Sequence, residues 1–295
     1  VTDNPPDASV YVEFCDRGSL QDLIEKYQQQ TKLKVPERFI WHCFASLCDG
    51  LAYLQGGRSY ILADDSASAP GWVPVLHRDL KPDNILLRSR DTVASKRYFY
   101  CVISDFGLAS EDRPDHDPMV NKYQKNRSKL GTCTYFAPEL CYNPYPRTKE
   151  ERAVFPPIPN SSDRYKHSPE SDLWALGACI YNLASLGNHI KLNNRPPQVD
   201  KTAWFEGQAS RFESYTLDPR LGYSEDLTCA IRRVMRFKKE ERANPIQAIF
   251  RIVRPGMNDS GFTTGIAHAG EDELPTWATR VHEYHSRKPI PQTDY

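Results

Sequence analysis

Apolar residues along the chain recur with two different periods, and the switch between them marks out elements. Val10-Tyr11-Val12-Glu13-Phe14 is β-branched and aromatic enough for a short buried strand, which Asp16-Arg17-Gly18 ends. Ser19-Leu20-Gln21-Asp22 matches a capping box, with Leu20, Leu23, Ile24 and Tyr27 at helical spacing behind it, so a helix is expected from Ser19. Pro36 suits the first turn of a second helix. In it Ile40, Phe44, Leu47, Leu51 and Leu54 recur every three to four residues, a stripe that must face a core. From Gln55 to Trp72 the periodicity is lost among Gly, Ser, Ala and Asp, which predicts an inserted surface loop.

Val75-Leu76 and Ile85-Leu86-Leu87 flank a polar loop, and Tyr98 to Ile103 is a dense β-prone run, a pattern that fits two short hairpins. Residues 112–130 are polar and of mixed charge, and 144–169 form a Pro-rich insertion with little core potential. Leu173 to Leu186 is apolar on nearly every side, which predicts a buried central helix. Leu227, Ile231, Val234 and Met235 mark another helix, begun at Ser224, and Pro245 to Ile252 a shorter one. The polar, Gly- and Pro-punctuated stretch after Arg254 is expected to be loosely held, so a domain over 1–252 followed by a tail over 253–295 is the expected division. No internal repeat is visible.

Composition narrows the class. The chain has 295 residues, enough to bury a sizeable core, and its 38 Lys and Arg balance 38 Asp and Glu. No bulk charge favours a nucleic acid or an anionic membrane as partner, so any anion must be met by local groups. Eight cysteines, at 15, 43, 48, 101, 133, 141, 179 and 229, form no C-x-x-C pair, as expected of reduced thiols in a cytoplasmic or nuclear protein. No apolar run is long enough to span a bilayer, and Val1-Thr2-Asp3-Asn4-Pro5-Pro6 does not resemble a signal peptide; lacking an initiating Met, the chain reads as a fragment.

Three motifs follow in order: His77-Arg78-Asp79-Leu80-Lys81-Pro82-Asp83-Asn84, Asp105-Phe106-Gly107, and Ala137-Pro138-Glu139, trailed by Ser171-Asp172-Leu173-Trp174-Ala175-Leu176-Gly177. Each alone could arise by chance; together they resemble the eukaryotic Ser/Thr protein kinase signature over roughly residues 8–252. The resemblance implies an α+β, protein-kinase-like fold: a mainly helical C-terminal lobe with short catalytic β-hairpins, interrupted by inserted loops near 55–73 and 144–169.

By that resemblance, Asp79 is the base that accepts and orients the attacking hydroxyl. Lys81 places positive charge beside the transferring phosphoryl group, and Lys at this place resembles Ser/Thr rather than tyrosine kinases. Asn84 supplies an amide oxygen and Asp105 a carboxylate, a donor pair suited to Mg²⁺ held with ATP, the implied cofactors. Thr132 resembles the threonine set against the catalytic Asp and Lys, and Tyr135 the residue shaping the pocket beyond the target hydroxyl. Arg78 precedes the base, and kinases of that kind pair the Arg with an anion in the activation segment; Ser128 falls where the regulatory phosphate often lies. Glu139 and Arg242 resemble a buried ion pair, and Asp172 a carboxylate that holds the catalytic-loop backbone, with an N-cap role as its simpler alternative.

Val12-Glu13-Phe14-Cys15 resembles the hinge, where the Glu13 carbonyl and Cys15 amide would meet the adenine edge, Val12 would act as gatekeeper and Leu86 as the floor under the ring. The family's glycine-rich loop and strand lysine have no counterpart: no G-x-G occurs in the chain, so the N-terminal β lobe is expected to be absent and to belong to the full-length protein. Two functions then compete: a protein serine/threonine kinase acting on Ser or Thr of protein substrates once complete, and an inactive half-kinase serving as a scaffold. Retention of Asp79, Lys81, Asn84 and Asp105 favours the first.

Overall fold

Ser19 begins the first helix by reciprocal capping. Its Oγ accepts from the Asp22 amide at 3.1 Å, and the Asp22 carboxylate accepts the Ser19 amide at 2.7 Å. This is seen in a computed structural model describing residues 12–30, 33–89, 98–113, 130–141, 167–190, 201–259, 274, 275, 277 and 278, with backbone alone for 141, 201–206 and 259. Helix α1 (Leu20–Gln28) buries the four expected residues, Leu20, Leu23, Ile24 and Tyr27. Helix α2 (Glu37–Gly56) begins after Pro36 and ends where Gly57 turns left-handed at φ 76°, a conformation open to glycine. A Cβ there would also lie 2.7 Å from the Trp72 ring.

Burial on α2 is wider than the stripe predicts. Phe39, Trp41, Cys43 and Cys48 are as buried as Ile40, Phe44 and Leu47, because other helices and a strand pack around much of its circumference. The expected surface loop beyond it is found from Gly57 onward, mostly exposed, with two departures. The helix runs on through Gly56, and Tyr60 is fully buried, donating its hydroxyl to the Ala67 carbonyl at 3.0 Å. Asp49 Oδ1 accepts the Tyr60 and Ile61 amides at 2.6 and 3.0 Å, stitching the segment to the helix it leaves.

The strands pair differently from two consecutive hairpins. Strand β1 (Val75–Leu76) pairs antiparallel with β4 (Ser110–Glu111), and β2 (Ile85–Arg88) with β3 (Tyr100–Ile103). Thus β1 leads into the 77–84 loop and β2 out of it, while β3 leads into the 104–109 loop and β4 out of it. Cross-pairing of the flanking strands sets the two loops side by side, a long-range choice that local alternation does not encode.

A four-residue helix, α3 (Pro138–Cys141), follows the third motif. Helix α4 (Pro169–Ala184) is the predicted buried helix, begun earlier than Leu173 because Ser168 caps it and Pro169 fits its first position. Helix α5 (Lys201–Glu213) was not evident in the apolar pattern; its Phe212 packs on Trp174 with ring centroids 5.2 Å apart. Helix α6 (Glu225–Val234) starts from Ser224 as expected, whose Oγ accepts the Leu227 amide at 3.2 Å. Helix α7 (Pro245–Ala248) passes through a π turn at Ile249–Val253 into α8 (Arg254–Asp259).

That last helix departs from a loosely held tail after Arg254. Met257 is buried, and Gly256 lies so close to Trp41 that a Cβ would come within 2.5 Å of its ring. Further on, Trp277 meets Tyr27 edge-on at 4.8 Å and Ala278 is buried. The core therefore sits between α2 and α4 and is closed below by the last helices. Among the described residues no helix is long and apolar enough to cross a membrane.

Candidate active site

Two loops cannot be positioned by local hydrogen bonds alone, and α4 supplies the anchor. The Asp172 carboxylate, in the first turn of that helix, accepts the His77 amide at 2.7 Å and the Arg78 amide at 3.0 Å. Ser168 is the N-cap, so Asp172 is free of that duty and holds the 77–84 backbone instead. Burial pushes its carboxyl pKa up, while the His77 charge and the two amides pull the other way.

Arg78 adopts φ 69°, a left-handed conformation costly for a residue with a Cβ. Its guanidinium offsets that cost by bridging to the second loop, with Nε donating to Leu108 O at 2.6 Å and Nη2 to Ala109 O at 3.3 Å. His77 completes the link: Nε2 lies 2.9 Å from Ser104 O, and its ring meets Phe106 edge-on at 5.1 Å.

Within this frame Asp79, Lys81, Asn84 and Thr132 converge. Asp79 Oδ1 accepts both the Thr132 amide and its hydroxyl at 2.8 Å. Lys81 Nζ donates to the same Thr132 oxygen at 3.1 Å and stands 3.5 Å from Asp79 Oδ2. Asn84 Nδ2 donates to the Asp79 carbonyl at 2.8 Å, which orients the amide and leaves Oδ1 as a neutral oxygen donor. The Asn84 carbonyl accepts the Ser104 amide at 2.9 Å, fixing the residue next to Asp105. Asp105 is exposed at φ 60° and ψ 70°, with Oδ1 accepting the Gly107 amide at 3.3 Å.

Among the described residues no group of three or more His, Cys, Asp or Glu side chains forms a metal cage. An exposed carboxylate and an amide oxygen fit Mg²⁺ in the manner of an ion that keeps its waters and is shared with phosphates.

The ion pair of Glu139 and Arg242 is bidentate, Nη1 to Oε1 at 2.8 Å and Nη2 to Oε2 at 3.2 Å, with the Arg242 side chain wholly buried. The guanidinium also donates to the Arg236, Glu170 and Phe237 carbonyls and lies 4.9 Å from the Trp174 ring centre. Of the residues expected to form the hinge, Val12 is 83% and Phe14 63% exposed with no strand at 12–14, which corrects the short buried strand expected there; Glu13 pairs with Arg88, and Cys15 is part-buried. Leu86 lies in β2, bridged to Ser19. Ser128 lies outside the described residues.

Two participants escaped the motif reading. Gly131 has φ 114° and lies against Arg78, where a Cβ would stand 2.4 Å from its carbonyl oxygen, so the chain can reach Thr132 only through a glycine. The glycine immediately before Thr132 was the one sequence signal for it. His167 is buried, with Nε2 3.1 Å from Leu130 O, and shares a small cavity with Arg78, Asp79 and Thr132. Burial, then the Arg78 charge, depresses its pKa from 6.5 to about 4. Nothing in the local sequence marks it.

The family model for the protein kinase domain matches residues 1–250, and the chain belongs to that family. It is 27% identical over 179 residues to a probable serine/threonine-protein kinase iksA of Dictyostelium discoideum, covering 59% of this chain and 15% of that protein. It is 26% identical over 246 residues to the G2-specific protein kinase nim-1 of Neurospora crassa, covering 80% of this chain and 23% of the relative. A crystal structure of the Rad53 kinase domain and SCD2 in complex with AMPPNP aligns with a TM-score of 0.45 at 18% identity, covering 82% of this chain and 66% of that one. The chain thus spans less than a quarter of the length of these two curated relatives.

Proposed function

We propose that the complete protein is a serine/threonine kinase that transfers the γ-phosphate of ATP to Ser or Thr hydroxyls of protein substrates. The observation that carries this reading is the triangle of Asp79, Thr132 and Lys81: one Thr132 oxygen donates to the carboxylate at 2.8 Å and accepts from the ammonium at 3.1 Å. An acceptor hydroxyl that hydrogen-bonds Asp79 would be oriented for in-line attack, with its proton taken by that carboxylate. Lys81 would stabilise charge on the transferring group, and Thr132 would hold both side chains in register. Bound Mg²⁺ and ATP supply the phosphoryl group and neutralise its charge. Asn84 and Asp105 are the residues that would hold the ion.

The same proposal covers the remaining roles. Val12, the Glu13 carbonyl, the Cys15 amide and Leu86 would line the adenine site, and phosphorylated Ser128 would draw the Arg78 guanidinium from the carbonyls it now bridges. Glu139, Arg242 and Asp172 support the loops without touching substrate. No G-x-G occurs among the 295 residues, so this reading assigns transfer to the full-length protein, acting in the cytoplasm or nucleus, and expects the 295-residue chain alone to be inactive.

Full-length protein assayed with Mg²⁺, ATP and Ser- or Thr-containing peptides should form phosphoserine or phosphothreonine, not phosphotyrosine. Asp79→Asn should lower kcat by about 100-fold or more while ATP affinity stays within about 3-fold. Near-normal turnover in that variant would refute the role given to Asp79.

A further inference from the structure

Strand β3 lies against α2 in a fixed register. His42 Nε2 is 2.7 Å from the Phe99 carbonyl oxygen, and a Cβ on Gly50 would come within 3.0 Å of Ile103 Cδ1, so contacts pin the strand to the helix on both sides of Cys101. Cys43 and Gly50 are two helical turns apart, hence on one face, and Cys101 and Ile103 alternate onto one face of the strand. Between the two pins the Cys43 and Cys101 sulfurs stand 3.4 Å apart. Cys43 is fully buried and Cys101 part-exposed.

We propose that Cys43 and Cys101 are a redox modification site, forming a reversible disulfide when the protein meets hydrogen peroxide. The sulfurs need only close to about 2.0 Å, a small displacement between elements already in contact. Burial, reinforced by Cys101, pushes the Cys43 thiol pKa well up, so Cys101 is the sulfur that meets the oxidant. Its thiolate attacks one peroxide oxygen: an S–O bond forms, the O–O bond breaks, and the departing hydroxide takes up a proton as water. Cys43 sulfur then attacks Cys101 sulfur; an S–S bond forms, the S–O bond breaks, and hydroxide leaves with the Cys43 proton as a second water. Two thiols are oxidised and one peroxide is reduced. The bond would close a ring across 58 positions that contains the whole 77–84 loop, tying β3, which feeds Asp105, to α2.

The test needs no kinase activity, so its failure leaves the proposed transfer reaction untouched. Native protein treated with hydrogen peroxide should yield a Cys43–Cys101 linked peptide lighter by two hydrogens. Its Tm should rise by roughly 5–10 °C, reversed by dithiothreitol. Cys101→Ser should abolish the link, and Cys43→Ser should leave a sulfenic acid on Cys101 that a dimedone probe captures. Should Cys43→Ser fail to fold, the wild-type peptide map decides alone. The proposal is overturned if Cys101 is oxidised while Cys43 remains an alkylatable thiol, or if the link forms only after unfolding in urea.

Discussion

The buried pair of Glu139 and Arg242 offers the sharpest quantitative test of how the site is held. Glu139→Gln keeps an acceptor for Nη1 and leaves Arg242 its bonds to the Arg236, Glu170 and Phe237 carbonyls, so the loss is mainly of charge attraction, about 2–3 kcal/mol. Arg242→Met keeps an unbranched chain on Trp174 but strands a carboxylate whose side chain is only 10% exposed, together with three carbonyls, and should cost about 5 kcal/mol. Independent effects would sum to about 7–8 kcal/mol, yet the double variant leaves no uncompensated charge and should lose only about 5. The coupling of about 2–3 kcal/mol would be read from urea unfolding of the four proteins. In thermal melts the Arg242 variant should fall by about 10–20 °C. Additivity within about 0.5 kcal/mol, or a Glu139 variant worse than the Arg242 one, would refute the reasoning.

Other outcomes follow from single contacts. His167, facing Arg78, Glu139 and Asp79, stays neutral in the fold down to about pH 4, whereas the unfolded chain takes up its proton near 6.5. Its contribution, about 3 kcal/mol, is therefore full above pH 6.5 and lost as pH falls toward 4; His167→Gln should flatten that part of a stability-versus-pH curve, and an unchanged slope would exclude it as the source. Gly131→Ala forces a Cβ to 2.4 Å from the Arg78 carbonyl, so turnover in the proposed phosphoryl transfer, assayed on the full-length protein, should fall by at least about 10-fold through displaced Thr132. Removing residues from Arg254 onward uncovers Trp41 and Tyr27 and should lower Tm by about 10 °C, while an unaltered melt would show that α8 and Trp277 add nothing.

Much of the fold was legible because its signals are local. The Ser19 and Ser224 caps and the all-round apolar run at Leu173 to Leu186 each depend on residues within a turn or two of one another. Helix α5 escaped because it shows too thin an apolar face, and Tyr60 because one buried aromatic in a polar stretch has no periodicity to betray it. The approach of Gly256 to Trp41 and the contact of Trp277 with Tyr27 join positions 215 and 250 apart, which no window around Arg254 contains.

The site divides the same way. By itself the sequence determined the chemistry available: a carboxylate at Asp79, a cation at Lys81, oxygen donors at Asn84 and Asp105, in an order that identifies the kinase family. Tertiary structure alone decided their placement. Asp172 sits 95 positions from the His77 amide it holds, Thr132 is 53 from Asp79, and β1 pairs with β4 rather than with a strand beside it. Hydrogen bonds and strand register across such distances are fixed by the whole core, whose geometry no short stretch of chain specifies.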